Sequence, residues 1–366
     1  MTETKKIYII SYYNLKEKLA GGLRANELFI FLKQKQVDVE IVTRNSSEGY
    51  ETIVKDFKIS KNIRKFLHLI FPDSSVTWVL KLYYFFKNKK NIVLIITSPP
   101  HGLVYLSKLL RKNKSIKCIQ DFRDPFTLNA HPQKKIFLRK YFNKRIEDYM
   151  TKNIDYIIFN TDEHKRIFLD EYKNNFKHKV IRNGYIYEDF DNRIATKSLV
   201  YFGGHYGGKV VNVLLKFMKN LNELSKNQYK MDIYGEFHKD YDANNAVFNY
   251  CGMKNRSELV ELLKDYKIGI VCYTEYFHGR GVATKFYEML GLGILPYCIN
   301  PSNDLKQLIK ELGYGSYCYE DNFDQIDASF FENFTPIKFN EEMKMNIRRH
   351  SRDYQNNLFL EVLNDL

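Results

Sequence analysis

The sequence predicts an α/β protein of two doubly wound, parallel-sheet domains in tandem, facing each other across a cleft. Three observations carry this. The chain has 366 residues, more than one ordinary core accommodates, so two domains of about 150–200 residues are expected. Strand and helix signals alternate, which means parallel strands joined by right-handed crossovers. The alternation stops at the polar stretch Glu188–Lys197 and then starts again.

In the first half, Lys6–Tyr12 reads as a buried strand, and Gly21-Gly22 follows in a loop. Leu23–Gln34 has apolar residues at Leu28, Phe31 and Leu32, a helical spacing. Val37–Thr43 alternates as a second strand, and Asn91–Thr97 is a third, closed by Ser98-Pro99-Pro100. Gly102–Leu110 is helical. Lys117–Gln120, Asp155–Phe159 and Lys179–Ile181 are further strands. In the second half Ser198–Phe202 is a strand, followed by the glycine-rich Gly203–Lys209 and a helix at Val210–Leu224. Lys230–Tyr234, Val247–Tyr250, Lys267–Cys272 and Ile294–Cys298 are strands. Ser257–Asp265 reads as a helix capped by Ser257, and Thr284–Leu290 as a helix stopped by Gly291 and Gly293. Asn340–Leu363 reads as one long terminal helix.

Composition narrows the class. Apolar residues make up 44% and charged residues 27%, which excludes a disordered chain. No run of about 18 apolar residues exists and the N-terminus has no signal-peptide pattern, so a cytoplasmic protein is expected. The five cysteines are scattered without a Cys-x-x-Cys pair and are expected as buried, reduced thiols. The net charge of +14 is uneven. Residues 1–180 hold 35 basic and 18 acidic side chains, a balance of +17, against 22 and 25, or −3, in the remainder. Such asymmetry suggests an anionic surface as partner, or a solvated face tuned for solubility. Lys134–Arg145 mixes cations with Ile136, Phe137, Leu138, Tyr141 and Phe142. At helical spacing this suits an anionic membrane surface, or it buries the aromatics in the core. It is the one stretch that interleaves basic and aromatic residues, and no nucleic-acid partner is expected.

Ligands of open parallel sheets bind beyond the carboxyl ends of the strands, and three segments there carry chemistry. Gly203-Gly204-His205-Tyr206-Gly207-Gly208-Lys209 lets backbone approach phosphate, with Lys209 as counter-charge; a plain flexible βα loop is the alternative. His278 to Glu288 follows a strand and leads into a helix whose first turn, at Thr284, offers free N–H groups to a diphosphate. Glu288 would accept hydrogen bonds from sugar or ribose hydroxyls, or else pair with a lysine on a solvated face. In Gln120-Asp121-Phe122-Arg123-Asp124-Pro125, three ionisable residues end a buried strand. Asp121 and Asp124 suit acceptor hydroxyls and Arg123 a phosphate; a structural ion pair is the alternative. Asp189/Asp191 and Asp240/Asp242 have the spacing of carboxylate pairs but lie in polar loops, and no metal is expected.

These residues resemble the retaining glycosyltransferases of family 4, of the bacterial surface-polysaccharide type, which have the GT-B fold of two Rossmann-like domains. Six segments carry the resemblance in order along nearly the whole chain: Ala20–Ala25; Pro72-Asp73 with Trp78; Thr97–Pro100 with Asp121–Pro125; Val180–Tyr185; Tyr201–Lys209; and Val282–Gly293. It implies an acceptor domain at residues 1–190, a nucleotide-sugar donor domain at 191–339, and a C-terminal helix within 340–366 that packs back on the first. Lys209 would contact the diphosphate, Glu288 the ribose or sugar, and Gly21-Gly22 would close over the phosphates, with no metal. Two departures stand out. Arg280 occupies the place of the family's first glutamate, and Gly204-His205 the place of its arginine after the phosphate-loop strand.

The expected activity is transfer of a sugar from a nucleotide-diphosphate sugar to a glycan or lipid-linked acceptor at the inner face of the plasma membrane. Lys209, Arg280, Lys285 and the helix start after Gly281, Val282 and Ala283 would stabilise the leaving diphosphate. No separate carboxylate nucleophile is evident, so front-face displacement with retention is expected, with Asp121-based double displacement as the lesser route. The rivals are a nucleotide-sugar epimerase or hydrolase on the same scaffold and a non-catalytic binding protein.

Overall fold

Strands that are apolar on both sides are stable only where both faces of a sheet are covered, and both halves of this chain are built that way. The computed structural model describes residues 5–13, 20–45, 51–58, 60–128, 137–173, 175–189, 195–204, 208–274, 281–335 and 338–366. It divides into two units, Met1–Arg182 with Gln355–Leu366, and Asn183–Tyr354.

The first unit runs β1 (Lys6–Ile10), α1 (Ala20–Gln34), β2 (Val39–Thr43), β3 (Thr52–Ile53), α2 (Lys61–Ile70), α3 (Val76–Phe86), β4 (Ile92–Ser98), a 3₁₀ turn (His101–Val104), α4 (Tyr105–Leu110), β5 (Ile116–Phe122), α5 (Phe137–Thr151), β6 (Tyr156–Phe159), α6 (Asp162–Glu171) and β7 (His178–Val180). The strands form one parallel sheet in the order β3-β2-β1-β4-β5-β6-β7. Alternation deals the side chains to opposite faces. Ile7, Ile9, Val93, Ile95, Ile119 and Ile158 meet Leu28, Phe31 and Leu32 of α1. Tyr8, Ile10, Leu94, Ile96 and Phe122 join Trp78, Leu82 and Phe86 of α3 on the other face. Every residue of β4, the central strand, is buried.

The second unit repeats the plan with β8 (Lys197–Phe202), α7 (Lys209–Leu224), β9 (Met231–Tyr234), α8 (Lys239–Ala243), β10 (Phe248–Gly252), α9 (Arg256–Leu263), β11 (Tyr266–Cys272), α10 (Thr284–Gly291), β12 (Leu295–Ile299), α11 (Asn303–Leu312), β13 (Ser316–Cys318), α12 (Ala328–Glu332) and α13 (Glu341–Arg348). Its parallel order is β10-β9-β8-β11-β12-β13. One core joins Val200, Phe202, Ile233, Ile270 and Cys298 of the sheet to Leu214 and Phe217 of α7 and Phe286 and Leu290 of α10. All five cysteines are free thiols, three of them buried.

Three sequence expectations are corrected. Gly21-Gly22 is not a loop. Both glycines lie in the first turn of α1, which starts at Ala20; the helical face that buries Leu28, Phe31 and Leu32 outweighs the glycine penalty of about 1 kcal/mol per residue. The terminal helix is two helices, α13 and α14 (Arg352–Asn364), separated at Arg349–Ser351. There Tyr185 pairs with Ser351 as an isolated bridge. The Tyr185 N–H donates to the His350 carbonyl at 3.1 Å, and the Arg352 N–H donates to the Tyr185 carbonyl at 2.7 Å. These bonds take backbone groups that a continuous helix would have used. A Cβ on Gly184 would stand 2.8 Å from both the Arg352 nitrogen and the His350 oxygen, so only glycine fits beside this break. Beyond it, Phe359 and Val362 of α14 complete the α1-side core of the first unit.

The third correction is a cap. α9 begins at Arg256, and Asn255, not Ser257, is its N-cap, its side chain accepting from the Glu258 N–H at 2.9 Å. Ser257 donates its hydroxyl to Asn255 Oδ1. Asn255→Ala should therefore cost about 1 kcal/mol in urea unfolding, within the usual cap range of roughly 0.5–2. Ser257→Ala should cost only a few tenths of that. A larger loss at Ser257 would return the cap to it.

Candidate functional site

In the first unit, polar groups collect where β4 and β5 end. Arg24 of α1 donates from Nε to Asp121 Oδ2 at 3.1 Å and from Nη2 to Oδ1 at 2.9 Å. Each side chain is only 3% exposed, and the guanidinium lies 5.2 Å from the Phe359 ring centroid. A two-pronged fork of this kind is the strongest geometry open to an arginine and a carboxylate. Asp121 thus lies within β5 with both oxygens engaged, the ion-pair geometry raised from the sequence. Its partner is 97 positions away and no local pattern could name it. Arg123 donates its backbone N–H to the Ser98 carbonyl and its Nη2 to the Pro99 carbonyl at 2.7 Å. Asp124 is exposed.

The Ser98-Pro99 and Pro99-Pro100 bonds are both cis, and Asp73 holds the turn that follows. It accepts from the Ser75 N–H at 2.9 Å, the Ser75 hydroxyl and the Gly102 N–H at 3.1 Å. Two of the segments noted in the sequence therefore form one structure. His101 stacks on Phe126, with centroids 5.1 Å apart, and burial lowers its pKa while Asp124 and Asp73 oppose. On α5, Tyr141 and Phe142 are 48% and 44% exposed. Arg145 donates to the Tyr141 hydroxyl. Lys134, Lys135 and Ile136, and the side chains of Phe137, Leu138 and Arg139, lie outside the described residues.

In the second unit, the carboxyl ends of β8 and β9 and the start of α10 come together. Gly203 has φ +109°, a backbone shape that favours glycine. A Cβ on Gly235 would fall 2.3 Å from the Gly203 carbonyl oxygen, so the two turns touch backbone to backbone. The Gly203 N–H donates to the Tyr234 carbonyl, and the Tyr201 hydroxyl donates to the Gly204 carbonyl at 2.6 Å. A Cβ on Gly203 would stand 3.2 Å from Lys285 Nζ, which places that ammonium beside the turn. It lies 4.0 Å from the Tyr201 ring centroid, and burial lowers its pKa to about 8 against the pull of Cys272 and Glu288. Gly208 caps α7, with His238 beside it, and Lys209 opens the helix, exposed. His205, Tyr206, Gly207 and Arg280 lie outside the described residues.

The approach to α10 is braced. The Ala283 N–H donates to the Tyr273 hydroxyl at 2.9 Å, and Ser302, N-cap of α11, donates its hydroxyl to the Gly281 carbonyl at 2.7 Å. Val282 is buried, and α10 begins at Thr284 without a side-chain cap bond. One turn past Lys285, Glu288 accepts from Arg256 Nη2 of α9 at 2.7 Å. Burial pushes the Glu288 carboxyl up; Arg256, Arg352 and Lys285 oppose in that order. The sequence reading missed Arg256, Tyr273, Ser302 and His238. Arg256 alone carried a signal, four residues past the end of a strand.

Among the described residues no group of three or more His, Cys, Asp or Glu side chains is placed to hold a metal ion. Asp189 pairs with Lys264 at 3.5 Å, Asp240 lies 3.4 Å from His238, and Asp191 is outside the described residues. No described helix is long and apolar enough to cross a membrane.

No protein-family model and no curated protein sequence matches the chain. Solved structures do. A sucrose-phosphate synthase from Thermosynechococcus elongatus is 10% identical with a TM-score of 0.71, over 99% of this chain and 98% of that one. The apo form of the lipopolysaccharide outer core galactosyltransferase WaaB is 13% identical at 0.66, over 97% and 99%. The pneumococcal O-GlcNAc transferase GtfA, in complex with UDP and GlcNAc, is 11% identical at 0.63, over 99% of each. The chain has a GT-B fold of two Rossmann-like domains.

The buried fork makes Asp121 a structural liability whatever else it does. Asp121→Ala should lower stability by about 3–5 kcal/mol, because it leaves the Arg24 charge buried and unpaired. Thermal or urea unfolding checks this. A loss below about 1 kcal/mol would show that the pair is solvated and Asp121 free for other work.

Proposed function

We propose that this protein is a glycosyltransferase that moves a sugar from a nucleotide-diphosphate sugar to a glycan or lipid-linked acceptor in bacterial surface-polysaccharide synthesis. The reaction retains the anomeric configuration and uses no metal. One observation carries the reading: Lys285 of α10 stands beside the turn at Gly203, which touches Gly235 backbone to backbone, and Glu288 follows one turn further along the same helix. A cation beside open backbone suits a diphosphate, and a carboxylate one turn away suits ribose or sugar hydroxyls. GtfA, solved with UDP and GlcNAc on the same fold, supports it.

In this reading the uncapped N–H groups of α10, Lys285, Lys209 and Arg280 stabilise charge on the departing diphosphate. The departing phosphate itself guides the acceptor oxygen to the same face. Gly204 and Val282 contribute backbone, while Asp121 and Arg123 shape the acceptor side. Nucleoside diphosphates and nucleotide sugars should raise the melting temperature of the protein. Lys209→Ala and Glu288→Ala should each cut transfer by roughly a hundredfold, about 2.7 kcal/mol of transition-state stabilisation, and wild-type turnover should survive excess chelator. Near-normal turnover in either folded variant, or loss with chelator reversed by manganese, would reject this site.

The buried ammonium sets a pH dependence. Lys285 has a folded-state pKa of about 8, below its ordinary value, so its charge is present below that pH and lost above it. Affinity for a nucleoside diphosphate should fall as pH rises through about 8, by calorimetry. Lys285→Arg, which stays charged, should flatten the profile. An unchanged slope would place the phosphates elsewhere.

The acceptor side is proposed to dock on an anionic leaflet. Exposed Tyr141 and Phe142 stand on α5 among Lys140, Lys144 and Arg145, and each cation near such a surface is worth about 1 kcal/mol. Co-sedimentation with vesicles should rise with anionic lipid, fall with salt, and weaken when Lys134, Lys135, Arg139 and Lys140 become Ser. Equal binding to neutral vesicles would remove this surface from the proposal.

A further inference from the structure

Arg256 is the first residue of α9, held there by the Asn255 cap. Its Nη2 donates to Glu288 Oε1 at 2.7 Å, with side chains 29% and 21% exposed. Around the pair Tyr187, Leu259, Val260, Leu263 and Leu292 line a small pocket. Four of these walls are aliphatic, a setting in which an unpaired carboxylate is costly and protonates instead. The groups facing Glu288 are Arg256 from α9, Arg352 from the start of α14, Lys285 from α10 itself, and Tyr187 from the segment that opens the second unit. Of the three cations Arg256 opposes the burial most. It also takes only one carboxylate oxygen. Glu288 Oε2 and Arg256 Nε have no hydrogen-bond partner among the described residues.

We infer that Arg256 is a positioning residue: by holding Oε1 it fixes the Glu288 rotamer, keeps the carboxyl ionised, and leaves Oε2 turned out as an acceptor for the vicinal hydroxyls of a nucleoside diphosphate. This rests on the donor-site reading above. The pair differs from a brace between two helices in what it governs. A brace contributes stability wherever the carboxyl is ionised and leaves nucleotide affinity unchanged. A positioning arginine sets the pH at which the neighbouring carboxyl takes up a proton, and with it the acid limb of ligand binding.

The decisive measurement is a pH titration of the protein labelled with δ-¹³C glutamate, read by NMR, with the Glu288 signal identified by its absence in E288Q. In R256Q its midpoint should rise by about one to three pH units, the range expected for removal of an adjacent opposite charge. R256K should fall between. The dissociation constants of UDP and GDP, by calorimetry, should weaken more at pH 6 than at pH 8 in R256Q. In the E288Q background R256Q should add no further loss, since its effect runs through the missing carboxylate. A folded R256Q with an unmoved midpoint overturns the inference. So does a loss in the E288Q background equal to that in wild type. If R256Q does not fold, an R256K midpoint equal to wild type overturns it. A wild-type protein that binds neither nucleotide at any pH removes the donor-site reading instead. The carboxyl titration then still decides whether Arg256 holds the charge.

Discussion

A parallel sheet covered on both faces leaves its side chains nowhere polar to go. Both sheets here obey that constraint, and it organises everything else. All seven residues of β4 are buried, and β12 is buried along its whole length. Groups that must meet water or a ligand are pushed beyond the carboxyl ends of the strands. The cis prolines, Asp73 and Arg123 collect there in the first unit, and Gly203, Gly235, Lys285 and Glu288 in the second. The glycine turns add a second effect. With the Gly203 carbonyl lying against Gly235, the two turns meet backbone to backbone.

Two arginine–carboxylate pairs show how burial divides structure from chemistry. Arg24 and Asp121 are bonded at both prongs and each 3% exposed. Both oxygens of that carboxylate are engaged by one guanidinium, which ties α1 to the centre of the sheet. Arg256 and Glu288 use one prong and stay partly open. The same two functional groups make a closed two-pronged pair in one place and a half-open single-pronged one in the other.

Much of this was legible in the sequence because it depends on local pattern. Ile92–Ile96 and Ile268–Cys272 have no reading other than buried strands, and the restart after the polar join marks the second sheet. Lys285 and Glu288 stand out because they follow a strand and a glycine. What failed to show depends on pairing across sequence. Arg24 meets Asp121 across 97 positions and Arg256 meets Glu288 across 32. The break before Arg352 is set by Tyr185, far upstream, so a helical pattern from Asn340 onward gave no sign of it. Asn255 and Ser257 are both good caps, and the choice between them turns on where the chain leaves β10. Gly21-Gly22 looks like a loop until the apolar face after it is seen to extend the helix back to Ala20.

The return of α14 to the first unit has a consequence for how the protein is made. The chain leaves that unit at Arg182 and re-enters it at Gln355. Phe359 and Val362, which seal the side of the sheet lined by Ile9, Ile95 and Phe31, are therefore translated after the entire second unit. At the ~5–20 residues per second of synthesis, the half-made first unit waits on the order of ten to forty seconds with that strip of its core uncovered. Residues 355–366 thus act as a latch on the first unit that closes only after the second unit has been made.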